Sequence, residues 1–191
     1  MVSLLEKVII RIAAFCVVGL FSVIPLSKTI NAHNSDVEEL FLLINERLSY
    51  MKHVALSKER SNSPTEDIER ETVVLMDAVK SANELGLSGP SVESFFGAQI
   101  NVAKAIQYRY RADWRSESPS FVPLDLQKII RPELSHIGRS IIHKMAILYL
   151  NGSQISEEHR GLFHESIDVE KISQQDRTKL FNSLLVVETQ K

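Results

Sequence analysis

Between residues 36 and 55 apolar side chains return every third or fourth position: Val37, Leu40, Phe41, Ile44, Leu48, Met51 and Ala55. That is the spacing of one helix face. Ser35 and Glu38 form a capping box ahead of it, so the pattern predicts a long first helix reaching about residue 60. "SNSPTED" breaks the period. There Ser63 can cap, Pro64 suits a first helical position and Glu66 completes a second capping box. The second helix is expected to end near Leu85, where Gly86 supplies a left-handed stop. A third, capped by Ser91, runs through "FFGAQINVAKAIQYRYRADW" to about Trp114. After the polar, Pro-punctuated loop "RSESPSFVPLD", a fourth crosses "LSHIGRSIIHKMAILYL" to Asn151 and Gly152, and a shorter pair near 157–164 and 174–187 completes the chain. No alternating strand pattern of useful length occurs, and Gly and Pro fall between the periodic segments. The prediction is an all-α bundle of about six helices with one long N-terminal helix.

The N-terminus follows another pattern. Lys7 and Arg11 precede the apolar run "IAAFCVVGLFSVIPL", and small polar residues follow. A charged start, a short apolar core and a small-residue exit describe a signal peptide, with Ala32 as the last residue before cleavage. The expected organisation is a signal at 1–32 and one helical domain at 33–191. An uncleaved membrane anchor is the alternative, because 8–26 comes close to bilayer-spanning length. Cys16 lacks the small-residue context of a lipidation site. At 191 residues the chain suits one well-filled domain. Removing 1–32 takes away Lys7, Arg11, Lys28 and Glu6, leaving 19 basic against 23 acidic residues, about −4 net. Such a chain has no general attraction for nucleic acid or for an anionic membrane, so an anion site must be local. Its single cysteine leaves with the signal, and packing alone must hold the exported domain.

Familiar catalytic templates are missing. The histidines at 33, 53, 136, 143, 159 and 164 do not pair at ligand spacing beside a carboxylate, so no metal site is expected. There is no Gly-rich phosphate loop and no nucleophile elbow. What remains is a set of cations on helices. Arg47 and Lys58 lie eleven residues apart, on one face and about 16 Å apart along the axis of a continuous helix. Periodicity alone reads both as solvated or snorkelling cations. Arg70 could pair with Glu66 or Asp67 on its own helix. Arg139 sits between Ile137 and Ile141, and a guanidinium buried there would need an anion. Gln107 points the same way as Ala103; it is either a core-edge amide bonded to backbone or one that waits for a ligand.

These features together resemble the all-helical chorismate mutases: "INERL" near the start of the first helix, Lys58 eleven residues after its Arg, Arg70 twelve further on, and the element from Gln99 through Gln107 and Tyr108 to Trp114. The export signal and the extra C-terminal helices narrow the resemblance to the secreted, gamma subclass. It covers a core at about 36–145 and leaves 146–191 as a helical extension. The resemblance implies an enzyme that rearranges chorismate to prephenate, with no metal or cofactor. It implies that Arg47, Arg70 and Arg139 hold the two substrate carboxylates. Lys58 and Gln107 would bond the ether oxygen, Glu71 the ring hydroxyl, and Asp67 would assist. Ala103 stands where relatives often carry Ser or Thr against a carboxylate. Tyr108 and Trp114 are expected to pack, and Arg109 and Arg111 to be solvated. The resemblance further implies a periplasmic or secreted homodimer with a complete site in each chain. The competing class is a non-enzymatic exported helical module that binds another dicarboxylate or a protein partner.

Overall fold

The computed structural model describes the backbone of residues 26–191 and side chains from Ser35 onward. The signal-peptide reading falls mostly on residues outside that range. Among the described residues seven α-helices follow one another: α1 (Leu26–Ser49), α2 (Met51–Arg60), α3 (Ile68–Glu84), α4 (Gly89–Asp113), α5 (Arg131–Leu150), α6 (Arg160–Ser166) and α7 (Gln174–Leu184). All six expected helices are present, the first divided in two. Among the described residues the only β pairing is an isolated bridge, Leu87 to Thr189.

The division at Tyr50 is slight, since Val54 N–H still donates to the Tyr50 carbonyl at 3.0 Å. Ser49 supplies a reason for it. Its hydroxyl donates back to the Glu46 carbonyl at 2.7 Å, a bond that competes with the ladder and bends helices. The seven stripe residues of α1 and α2 are buried, Val37, Leu40, Phe41, Ile44 and Ala55 completely.

Three expected caps are corrected. Helix α1 is continuous through Ser35, because nothing between Leu26 and Asn34 breaks a helix and a cap needs non-helical backbone. Ser63 caps nothing: α3 starts after Asp67, whose carboxylate accepts the Arg70 N–H at 3.1 Å. Nor does Ser91 cap α4, which begins at Gly89. The Ser91 hydroxyl donates to the Ser88 carbonyl at 2.8 Å and accepts the Glu188 N–H at 3.2 Å. Gly89 permits that early start, because a Cβ there would stand 2.8 Å from Asn83 Oδ1. The α3 stop is as expected, with Gly86 at φ 78°. Helix α5 is preceded by a π-helical turn, Leu126–Ile130, capped by Asp125, so helical structure starts earlier than the sequence suggests.

Helix α4 is the central element. It packs on α2, α3 and α7, while α5 closes the bundle against α1 and α3. The C-terminal extension completes the core: Phe163 of α6 meets Phe41 edge-on at 5.0 Å and Phe181 of α7 at 5.2 Å. Burying such a ring contributes about 1.5–3 kcal/mol. With α6 and α7 stacked behind α1 and α4, the opposite faces of α1 to α5 surround a cavity.

Candidate active site

The cavity has a volume of about 390 Å³ and is lined by α1, α2, the 61–67 loop, α3, α4 and α5. All eight residues proposed from the sequence line it: Arg47, Lys58, Asp67, Arg70, Glu71, Ala103, Gln107 and Arg139. Seven cations (Arg47, Lys58, Arg70, Lys80, Lys104, Arg131 and Arg139) face four carboxylates (Asp67, Glu71, Asp77 and Glu84), an excess of three positive charges. The chain as a whole carries −2. The positive charge is concentrated at the cavity.

Arg47 is placed by the same period that builds the core. It stands three residues after Ile44 and four before Met51, on the apolar stripe, and is only 5% exposed. Its guanidinium lies over the Phe96 ring at 5.7 Å, and its Nε has no partner among the described residues. Burial, and then the charge of Arg70, pull its pKa from 12.5 down to about 10. It is charged at neutral pH and lacks an anion. Lys58, 8% exposed, donates to the Thr65 carbonyl at 2.5 Å. Burial moves its pKa below the ordinary 10.5, opposed by Asp67, Glu71 and Glu66 and assisted by Arg131. The solvated reading of both cations therefore fails: eleven residues along the helix return each to the face that is covered.

Two of the four carboxylates at the cavity, Asp67 and Glu71, are occupied by protein. Asp67 caps α3 with Oδ1 and accepts from Arg131 with Oδ2 at 2.8 Å. Glu71 accepts from Lys104 at 2.9 Å and from the Asp67 N–H at 3.3 Å. Arg70 does not pair within its helix; its guanidinium donates to the Ser135 hydroxyl at 2.9 Å. Arg139 is exposed at the cavity rim, not buried between isoleucines. Positions 137 and 141 lie on other sides of a helix from 139, so their burial does not carry to it. Gln107 is 5% exposed; Nε2 donates to the Ala103 carbonyl at 3.2 Å and approaches Met51 Sδ at 3.5 Å, while Oε1 is buried without a partner. The backbone bond of the core-edge alternative is present, and the oxygen end of the amide is unpartnered among the described residues. Gln99, in the same motif, is fully buried with neither amide end partnered among the described residues, and it does not line the cavity.

Sequence reasoning missed Arg131, Thr65 and Ser135. Arg131, Ser135 and Arg139 recur at intervals of four, a signal that one face of α5 is polar. The expected start of that helix was too late to include Arg131. Arg109, 39% exposed at its side chain, is solvated in part but paired, and Arg111 is largely covered and paired. Arg109 pairs with Asp176 at 2.6 Å and Arg111 with Glu59 at 2.5 Å. Trp114 stacks on Tyr110 at 5.4 Å, but Tyr108 is half exposed and does not pack; its hydroxyl donates to Glu66.

Such a cavity suits a compact dianion. Two or more unpaired guanidiniums can grip carboxylates by bidentate bonds, and a buried ammonium and a buried amide supply charge and dipole between them.

Residues 37–108 match the family described as chorismate mutase type II. A secreted chorismate mutase of Yersinia pestis is 46% identical over 105 residues, 54% of this chain, and the match spans 56%, little more than half, of that relative. A monofunctional chorismate mutase of Enterobacter agglomerans is 34% identical over 147 residues, covering 77% of this chain and 81% of that one. The crystal structure of the Yersinia pestis secreted chorismate mutase superposes with a TM-score of 0.74 at 34% identity, over 80% of this chain and 98% of that one.

Proposed function

Since the chain belongs to the chorismate mutase type II family, we propose that its cavity binds chorismate and rearranges it to prephenate. The single observation that carries this reading is the excess of cations around the cavity, with Arg47 buried and without an anion.

The rearrangement is a concerted [3,3] shift and requires no acid, base, nucleophile, metal or redox group. The catalyst has to hold a dianion in its chair-like, diaxial conformer and stabilise the negative charge that grows on the ether oxygen as the C–O bond lengthens. Arg47 of α1 and Arg70 of α3 grip the carboxylates. Arg139 closes on them from the rim, and Arg131, anchored by Asp67, reinforces that side. Lys58 places a full charge at the ether oxygen. Gln107 donates to it from the other side, which requires Nε2 rather than Oε1 to face the substrate; a half-turn of the amide exchanges the two within the same volume. Glu71, held by Lys104, accepts the ring hydroxyl. Each preorganised donor of this kind contributes on the order of 3 kcal/mol to the transition state.

The protein acts after export, released by cleavage after Ala32. That point lies within α1 of the full chain and well before Arg47, the first residue to line the cavity. It works as a homodimer with a complete site in each chain. The similarity to a secreted relative supports export, and the convergence of all eight proposed residues on one cavity within a single chain supports the self-contained site.

A stable dicarboxylate analogue of the transition state tests the reading by linkage. It should raise the melting temperature of the wild-type protein, by about 2.7 kcal/mol of added stability at a hundredfold excess over Kd. An unchanged melting temperature would refute the site.

A further inference from the structure

We infer that Arg111 is a positioning residue for the Lys58 ammonium, acting through the 61–67 loop; this rests on the ether-oxygen role of Lys58 proposed above. Among the described residues the ammonium has one protein acceptor, the Thr65 carbonyl at 2.5 Å. That bond takes one of its three N–H groups and leaves two to aim into the cavity. Where they aim depends on where Thr65 is held. Thr65 belongs to a non-helical loop that leaves α2 through Asn62 at φ 51°.

The last turn of α4 fixes that loop. Arg111 uses Nε on Glu59 at 2.5 Å, and Nη1 on both the Ser63 carbonyl and the Thr65 hydroxyl at 3.1 Å. Glu59 adjoins Lys58 on α2. One planar guanidinium therefore joins the helix that carries the ammonium to the residue whose carbonyl orients it. Tyr108, one turn back on α4, adds a tether through Glu66. Arg111 does not itself line the cavity; it meets the cavity wall only through Thr65, which does. The charges acting on Lys58 come from Asp67, Arg131, Glu71 and Glu66. Its route to the reaction is mechanical: a fixed fork of donors that lysine could not reproduce.

Steady-state kinetics on chorismate test this with Arg111→Gln, Lys58→Ala and the double variant. Arg109→Gln serves as control, since it breaks an ion pair on the same end of α4 that reaches α7 rather than the loop. Misplacing the ammonium should lower kcat about tenfold or more in Arg111→Gln, with KM changed far less. In the Lys58→Ala background the same substitution should cost nothing further, and Arg109→Gln should keep wild-type kcat. Should Arg111→Gln fail to fold, Thr65→Val, which removes one tether and keeps the carbonyl, should lower kcat in the same direction. Unchanged kcat in the variant that folds, or an equal loss with and without Lys58, overturns the positioning role while Lys58→Ala alone still reports on the ether-oxygen role. Undiminished turnover in Lys58→Ala overturns both.

Discussion

Replacing Arg47 with methionine should make the protein more stable and nearly inactive. The guanidinium is 5% exposed and has no anionic partner, and its pKa falls from 12.5 to about 10 on folding. At about 1.4 kcal/mol per tenfold, keeping it charged costs the fold about 3 kcal/mol. Because the folded pKa lies below the unfolded one, that cost is complete below about pH 10 and fades as pH rises toward 12.5. Methionine fills a similar volume without a charge. It forfeits the contact with Phe96, worth about 1 kcal/mol, which leaves a net gain of about 2 kcal/mol. In a chain of this size that raises the melting temperature by on the order of 5 °C. Losing a bidentate carboxylate grip should lower kcat/KM a hundredfold or more. Thermal melts monitored by circular dichroism at pH 7, beside chorismate consumption, give both numbers. A lower melting temperature, or retained turnover, would refute the argument that the substrate supplies the anion Arg47 lacks.

Three further outcomes follow from the same geometry. Wild-type kcat/KM should be level from mildly acidic to neutral pH and fall on the alkaline side below 10.5, because burial lowers the Lys58 pKa and its charge is lost early as pH rises; a profile level to pH 10.5 would contradict this. Gln107→Glu should work mainly at acid pH, where its carboxyl can donate, and a flat profile for that variant would count against the amide as donor. Gln99→Leu should raise stability by on the order of 1 kcal/mol with turnover unchanged, since it removes a buried amide that has no partner among the described residues and lies off the cavity; a urea titration showing a loss would mean the amide is satisfied.

The helices were legible because burial imposes a period, and the α1 and α2 stripe is buried residue for residue. Their starts were less so. Ser35, Ser63 and Ser91 all looked like caps, but a serine hydroxyl has many local uses; the nearby Asp67 displaced Ser63 as a local cap, and a tertiary bond to the C-terminal tail engages Ser91. Local pattern cannot register a bond to a residue 97 positions away. Arg47 interrupts an apolar stripe, yet periodicity alone read it as solvated or snorkelling, and its role came from the resemblance. Arg131 was missed because the π-helical turn Leu126–Ile130 brings helical structure forward of where a regular period would begin it. Arg139 was misjudged from its neighbours in sequence, which on a helix are not its neighbours in space. The roles of Lys58 and Gln107 came from resemblance; periodicity alone read Lys58 as solvent-facing and left Gln107 undecided.

The central claim is that the cavity rearranges chorismate by electrostatics and conformer selection alone. The most direct measurement is the loss of chorismate absorbance on adding the purified protein, with a chelator present and no cofactor added. The account predicts rapid conversion to prephenate, unaffected by the chelator. A rate no greater than that of the uncatalysed reaction would contradict it.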